Sequence, residues 1–350
     1  MRPLNDSKNI KARGIYRDAV RSSKSHFVKA SGLRWISLML LCDIPWASRI
    51  WALPFLTVLA PSKRYHQEQG KRHKTITDWA RQMIIQLRRF VPERTIVVVA
   101  DSSYAVLALL DAVREHVCFV TRLRLDAGLY DWPGAQPKSK RGPKPKKGKR
   151  LPKLESVLND RKTTWQRLTV SQWYGRSQRL VEVTTGTALW YSQGKPLVPI
   201  RWVLVRDVEG KLDAKAFLST DLEASPLEIL SWFVMRWQVE VTFAEVRAHL
   251  GVETQRQWSD LAIARTTPLL LGLFSLTTLL ANQLHGQQEL TLGTASWYQK
   301  QHPSFSDAIA AVRRKMWHPR YYRVSGTEAE TFTIPRSLFD AVIERLAYAA

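Results

Sequence analysis

The sequence is poor in cysteine and in acidic residues, and each shortage excludes a class of protein. Cys42 and Cys118 are the only cysteines, too few for a disulfide framework or a cysteine-based zinc site. Thirty Asp and Glu stand against 53 Lys and Arg, which gives a formal net charge of +23. Such a charge favours a polyanionic partner, and nucleic acid is the first candidate. An anionic membrane is the rival, but no basic helix with a bulky apolar face is visible in the sequence.

Long apolar runs are also scarce. The opening residues, MRPLNDSKNIKARG, lack the apolar segment of a signal peptide, so the sequence predicts a cytoplasmic protein with no membrane partner. Residues 35–59 are interrupted by charges and prolines, and residues 269–281 fall short of the ~20 that span a bilayer. Both stretches are therefore predicted to lie in a core.

Residues 226–250 are predicted to form one long helix. Ser225 and Glu228 have the spacing of a capping box, and Pro226 suits the first helical position. Gly251 supplies a stop. These signals fix both ends of the predicted helix.

One edge of this helix combines a carboxylate with arginines. At ~100° per residue, the residues on that edge are Phe233, Arg236, Glu240 and Arg247. They border a predicted apolar stripe, which contains Leu230, Val234, Trp237, Val241, Ala244 and Ala248. A partly desolvated carboxylate beside guanidiniums suits a divalent metal with phosphates nearby. The alternative is an amphipathic helix whose charged residues are only solvated, and spacing alone leaves it open.

The upstream pattern predicts an open α/β sheet. Strand-like runs within residues 26–59 predict an opening antiparallel meander. A helix at 75–90 precedes the run TIVVVA at 95–100, whose composition is typical of a strand buried on both faces. A helix at 104–116 and a strand at 117–122 continue the β-α-β order.

Asp101 is the best second carboxylate, because it follows TIVVVA at a strand end, where sites of such sheets collect. Its alternative role is that of a helix N-cap. Asp221 also follows a strand, but a loop or cap role is the safer interpretation. His249 is expected to interact with the C-terminal end of its helix rather than with a metal.

The signature on the long helix resembles that of a known family. Phe233, Arg236, Glu240 and Arg247 match the Y-x2-R-x3-E-x6-K pattern of bacterial insertion-sequence transposases of the DDE type, close to the IS-four group. Phe replaces Tyr and Arg replaces Lys. The segments ADSSYA, TRLRLDAGLYD and RWQVEVTFAEVRAHLGVETQRQWSD also resemble that group, so the resemblance spans residues 10–284. It implies an RNase H-like core that cuts and joins DNA with two metal ions held by two Asp and one Glu.

The resemblance assigns roles to individual residues. Asp101 and Glu240 would bind Mg²⁺ or Mn²⁺ in a two-metal site. Arg236 and Arg247 would hold the phosphates around the scissile bond, while Phe233 would pack or stack where the family has Tyr. Arg in place of Lys keeps the charge and changes the geometry.

The first Asp of the family has no clear counterpart. In the family it lies on a strand before the stretch that here is KNIKARGIYRDAV, and that strand is not recognisable. Asp6, Asp18 and Asp43 do not match it. We therefore expect an N-terminally truncated transposase whose metal site is incomplete, and which is weak or inactive by itself.

The sequence predicts an α/β fold with an RNase H-like mixed sheet and flanking helices. Residues 1–125 would form the first part of the core, and residues 126–200 a basic linker with a small β-rich insertion. Residues 201–290 would complete the core with the signature helix, and residues 291–350 would form a mostly helical tail.

A basic segment at residues 138–150, KSKRGPKPKKGKR, is a candidate for DNA binding. Pro and Gly punctuate it, so it cannot form a core. Its cations are Lys138, Lys140, Arg141, Lys144, Lys146, Lys147, Lys149 and Arg150. A solubilising linker is the alternative. Trp165, Trp173, Tyr174 and Trp190 could stack on an unpaired base, although core packing suits each of them better.

The favoured function is a cut-and-paste transposase that acts on double-stranded DNA, at element ends and at the target, with a possible homodimer on DNA. One alternative is a non-catalytic DNA-binding remnant that occupies element ends. Another is a host nuclease of the same fold with an unrelated substrate. The element's flanking inverted repeats, present or absent, would separate this last alternative from the others.

Overall fold

The structure is a computed structural model that describes residues 10–17, 21–23, 25–134, 145–171, 173, 178–210, 212–257, 259–285, 300–317 and 335–348. The described strands are β1 (Gly14–Arg17), β2 (Lys29–Gly32), β3 (Trp35–Ile44), β4 (Arg49–Leu59), β5 (Val97–Val99), β6 (Cys118–Leu123), β7 (Leu129–Tyr130), β8 (Gln166–Ser171), β9 (Gln178–Trp190), β10 (Val198–Asp207) and β11 (Lys215–Ser219). The described helices are α1 (Lys63–Glu68), α2 (Ile76–Phe90), α3 (Leu107–Val113), α4 (Leu154–Asn159), α5 (Pro226–Met235), α6 (Trp237–His249), α7 (Asp260–His285), α8 (Phe305–Met316) and α9 (Arg336–Ala347). The predicted α/β class, with a mixed sheet, is confirmed.

The chain forms two compact units, and the sequence of one interrupts the other. Unit 1 combines Met1–Lys71 with Gln238–Ala350, and unit 2 is the continuous segment Arg72–Trp237. These boundaries differ from the four predicted segments. In particular, β7, β8 and β9, which belong to the predicted insertion, pair within the same sheet as β5, β6, β10 and β11.

Unit 2 is built on a seven-stranded sheet. Its strand order is β5-β6-β11-β10-β9-β7, with β8 also paired to β9. β5 and β6 are parallel, and α3 connects them, as the β-α-β pattern predicts. The other pairings are antiparallel. β5 was expected to be buried on both faces, but its three valines are half-buried. Among the described strands β5 pairs with β6 alone, at the edge of the sheet.

The two faces of this sheet carry separate apolar cores. Side chains alternate between the faces of a strand, so Phe119 of β6 enters one core and its neighbour Val120 enters the other. The first core contains Leu110 of α3 and the second contains Phe233 of α5. β6 therefore has one set of side chains facing α5 and another facing α3.

Unit 1 contains two separate hairpins instead of the predicted meander. β2 pairs with β1, and β3 pairs with β4. The ladder of the second hairpin shifts register between Leu38 and Met39, where Met39 faces Pro54. Proline has no backbone N–H to give to a ladder, which explains an irregularity at that point.

The second hairpin packs against α7 through aromatic rings. The ring centroids of Phe274 and Phe305 are 4.3 Å apart, and Trp51 lies 5.7 Å from Phe274. α7 runs for 26 residues, well beyond the apolar stretch at 269–281, and it is the one helix in the described ranges long and apolar enough to cross a membrane. α7 packs against β4 and α8, and 28% of its most apolar window is buried.

The predicted long helix is two helices. The capping box forms as predicted, since Ser225 N donates to the Glu228 carboxylate at 2.8 Å and Glu228 N donates to Ser225 Oγ at 3.3 Å. α5 ends at Met235, however, and Arg236 lies in a turn before α6.

The apolar stripe predicted for the second half of that helix is wrong. In α6 the buried side chains are Thr242 and Val246, whereas Ala244 and Ala248 are exposed. Thr242 Oγ1 donates a hydrogen bond to the carbonyl of Ala52 at 2.7 Å, within unit 1. The interruption at Arg236 and this buried hydrogen bond select a different face of α6.

The C-terminal tail is helical where it is described. α9 is held to α8 by Arg314, which pairs with Glu344, and by Tyr348, whose hydroxyl donates to the Asp307 carboxylate at 3.0 Å. Asp307 is fully buried and also binds Lys300 Nζ at 2.9 Å. The predicted strand TFTI lies outside the described residues.

Candidate active site

Asp101 lies where the edge strand β5 gives way to a short helical turn. Its Oδ1 accepts hydrogen bonds from Ser103 N at 2.8 Å and from Ser103 Oγ at 2.6 Å. Asp101 therefore does cap the helical turn that follows it, which is the alternative role expected from the sequence. Oδ2 accepts no hydrogen bond from the described residues, and the side chain is exposed. Asp101 can thus cap the turn with one oxygen and offer the other to a ligand.

The register of the sheet places two cations near Asp101. Val97 pairs with Cys118 and Val99 with Val120, so continuing by two residues brings Asp101 beside Arg122. Arg122 in turn pairs with Phe217 of β11. Lys215 lies two residues from Phe217, hence on the same face of the sheet and one diagonal step from Arg122.

The electrostatics agree with this placement. Burial is the main cause that lowers the pKa of Lys215 below its ordinary value, and the positive charge of Arg122 lowers it further. The opposing effect of Asp213 is smaller. The guanidinium of Arg122 is therefore close enough to Lys215 to act on its charge.

α5 brings the first half of the signature to the same face. Phe233 is buried, and its ring centroid lies 4.7 Å from that of Phe217. α5 begins after β11 and runs back over it, so the helix ends toward Lys215, the first residue of β11. Arg236 follows α5, with its guanidinium carbon 5.5 Å from the Phe233 ring centroid. Phe233 thus packs in the core, and its ring also contacts the guanidinium of Arg236.

The second half of the signature belongs to unit 1. Glu240 and Arg247 are both exposed, and the helical spacing puts them on the side of α6 opposite the buried Thr242 and Val246. Arg247 forms an ion pair with Glu253 at 3.4 Å. Because Asp101 and Glu240 lie in different units, their meeting in one metal site stays a prediction.

Comparison with known proteins identifies the family. Residues 6–196, more than half of the chain, match the family described as DDE superfamily endonuclease. The chain belongs to the DDE superfamily of endonucleases. The mixed α/β fold is consistent with the RNase H-like fold of DDE nucleases. No curated protein matches the chain.

Membership sets the broad chemistry of the protein. A DDE endonuclease acts on DNA as a nuclease or transposase, and such enzymes generally use divalent metals. The matched residues include Asp101 but end before α5 and α6. The family match therefore covers one of the two predicted carboxylates, and the signature on α5 and α6 stands on the sequence resemblance alone.

The other acidic residues and the histidine that were considered as metal ligands, and not favoured, lie in loops or near the ends of helices and strands where they are described. Asp221 follows β11 at the opposite end of β6 from Asp101, and its Oδ1 accepts a hydrogen bond from Glu223 N at 3.0 Å. His249 ends α6 and lies 3.4 Å from the Glu245 carboxylate. Asp43 is exposed near the end of β3. Asp6 and Asp18 lie outside the described residues.

The basic segment is anchored where it rejoins the sheet. Lys147 Nζ lies 3.7 Å from the ring centroid of Tyr130 and 3.8 Å from that of Tyr191. Asp131 N donates to the Lys149 carbonyl, and Gly148 N donates to the Asp131 carbonyl, each at 2.8 Å. The side chains of Lys146, Lys149 and Arg150 are exposed beside this anchor. Lys138, Lys140, Arg141 and Lys144 lie outside the described residues.

The described tryptophans of residues 165–190 pack against the two cores of unit 2, as was expected in preference to stacking on a base. Trp173 is buried in the core under α5. Trp165 and Trp190 are partly buried against the other core, and Arg206 lies over the Trp165 ring at 4.1 Å. Tyr174 lies outside the described residues.

The donor set near Asp101 fits a hard divalent cation only in part. A carboxylate suits Mg²⁺ or Mn²⁺, and Asp101 Oδ2 is available. Within either unit, the described residues contain no group of three or more His, Cys, Asp and Glu that could hold a metal ion. The sequence pattern does not single out Arg122 or Lys215. Its one signal is that Arg122 is a charged residue in the otherwise uncharged strand CFVTRL.

Proposed function

We propose that this DDE endonuclease is the transposase of a bacterial insertion sequence, which cuts the ends of its element and joins them to target DNA. The observation that carries the proposal is Asp101, at a strand end, with a free carboxylate oxygen and with cations on the same face of the sheet. A nuclease needs both features, because metals bind the carboxylate and cations hold the phosphodiester.

Asp101 and Glu240 are the residues that would hold Mg²⁺ or Mn²⁺ in a two-metal site. When bound, the metals would activate the attacking oxygen and stabilise the departing one. Arg236 and Arg247 would bind phosphates beside the scissile bond. The burial of Phe233 supports a packing role for that residue, since a ring inside the core has no face left for a base.

We also propose that the chain by itself cleaves DNA weakly or not at all. The family uses three carboxylates, and neither unit groups three candidate ligands among its described residues. In that case the protein would still occupy element ends, as a non-catalytic DNA-binding remnant. The basic charge and the anchored basic segment favour this second function. A DNA-associated protein of the bacterial cytoplasm, with a possible homodimer on DNA, fits both functions.

A cleavage assay on duplex that contains the element ends tests the proposal. The chain and its Glu240→Ala variant would be compared with Mg²⁺ present. We expect at most weak cleavage by the chain and none after Glu240→Ala. Efficient cleavage by the chain itself would refute the incomplete site. Cleavage that survives Glu240→Ala would refute the assignment of Glu240.

The basic segment provides an independent prediction. Replacing Lys146, Lys149 and Arg150 with Gln is expected to reduce the magnitude of the salt slope of DNA affinity by about two to three, since each phosphate contact contributes about 0.9. Fluorescence anisotropy with a short duplex at several salt concentrations measures the slope. Replacing Arg64, Arg81 and Arg336 with Gln, all in helices distant along the chain, makes the same charge change as a control. Equal slopes for the two triple variants would mean that the segment is only a solubilising linker.

A further inference from the structure

Arg122 and Lys215 have no ion-pair partner among the described residues, unlike other cations at their end of the sheet. Most of the neighbouring cations are paired. Arg124 binds Asp126 at 2.6 Å and Arg179 binds Asp207 at 2.6 Å. Lys215 is half-buried, and the carboxylate of Asp213 attracts it without forming an ion pair with it. Burial and the charge of Arg122 outweigh that attraction, so an anionic ligand beside Lys215 would lower the free energy of the charged form.

The fold brings these two cations to the carboxylate. Arg122 and Lys215 lie on the adjacent strands β6 and β11 and face the α5 side of the sheet. Asp101 follows β5, two residues after Val99, whose side chain packs on that side. The carbonyl of Asp101 accepts a hydrogen bond from Thr121 Oγ1 at 2.7 Å, which fixes the end of β5 against β6. The hydrogen bond therefore holds the backbone of Asp101 next to β6, the strand that carries Arg122.

We propose that Arg122 and Lys215 form a phosphate-binding site that places one DNA phosphate beside Asp101. The inference rests on the proposed function, and it adds two residues that the signature does not contain. Arg122 offers a planar fork to two phosphate oxygens, and Lys215 offers a point charge from the next strand. The neighbouring Arg236 lies over Phe233, on the same face.

Salt-dependent binding of a short DNA duplex tests this site. The full chain would be measured in EDTA, so that metal binding by Asp101 does not contribute. We expect Arg122→Ala and Lys215→Met each to reduce the magnitude of the salt slope by about one. The double variant is expected to bind about 10-fold or more weakly near 0.2 M salt. Met keeps most of the apolar stem of Lys215 in place, which separates the loss of charge from a loss of packing.

Arg89→Ala is the matched control. Arg89 is exposed in the last turn of α2, which leads into the start of β5, so it lies at the end of unit 2 away from Asp101. It should keep the wild-type slope. Arg122→Lys and Lys215→Arg keep the charge and should retain most of the affinity. Thermal unfolding should show that every variant is folded.

Two results would count against the site, and they differ in what they overturn. If the wild-type chain bound no duplex DNA at all, the site and the proposed function would both fail. If the wild type bound DNA and the double variant bound it with the same slope, or with the slope change of Arg89→Ala, the site alone would fail.

Discussion

Asp101→Asn is expected to lower metal-dependent DNA cleavage by about 10³-fold or more, since a lost metal ligand removes several kcal/mol of transition-state stabilisation. Asparagine still caps helices as well as aspartate does. It can therefore keep the hydrogen bonds from Ser103 to Oδ1 and preserve the turn. What it loses is the negative charge at Oδ2, the oxygen that remains for a cation. The substitution separates the two roles of this residue.

The assay would measure cleavage of element ends by the full chain at saturating Mg²⁺, with enough protein for slow cleavage to be followed. Asp221→Asn is the matched control, because it makes the same chemical change at the other end of β6. We expect its rate to stay within about threefold of wild type. If Asp101→Asn cleaved as fast as Asp221→Asn, Asp101 would be a cap only.

Asp207→Asn is expected to destabilise unit 2 by about 3–5 kcal/mol, the cost of leaving one member of a buried ion pair without its partner. Arg179 Nη2 lies 2.6 Å from Asp207 Oδ2, and the two side chains are 10% and 2% exposed. The Arg124–Asp126 pair has the same 2.6 Å distance but is 82% and 48% exposed. Burial is thus the main difference between the two pairs.

Urea unfolding, monitored by tryptophan fluorescence, measures the change in stability for the buried pair and for the exposed pair. Asp126→Asn should leave the urea midpoint nearly unchanged, because water screens an exposed pair. The double variant Arg179→Met with Asp207→Leu should recover most of the lost stability, since it removes both charges together. If Asp207→Asn and Asp126→Asn reduced stability equally, the buried pair would contribute no more to stability than the exposed pair.

The local signals in the sequence were sufficient for many of the elements. The helix at 75–90 and the β-α-β order that follows it are present, and Ser225 and Glu228 form the capping box. These features depend on neighbours in the chain, on capping side chains and on the spacing of apolar residues. Asp101 as a strand-end residue with a capping alternative was also predictable, and it is indeed a cap.

Features that depend on distant residues could not be predicted. The face that α6 buries is decided by the carbonyl of Ala52, 190 positions away from Thr242. The position of Arg122 near Asp101 and Lys215 follows from the pairing register of β6 with β5 and β11. No local sequence pattern encodes that register. The edge position of β5 follows in the same way from the order of the strands. Composition marks a strand as apolar but does not tell which neighbours it will have.

The division of the chain into units has a consequence for its synthesis on the ribosome. Unit 1 needs both ends of the sequence, since Trp51 of β4 packs against Phe274 and Phe305. At about 5–20 residues per second, the second hairpin therefore waits on the order of tens of seconds before α7 is translated. Unit 2 is complete by then. During that interval the apolar residues of the hairpin are exposed on the nascent chain, where chaperones can bind them.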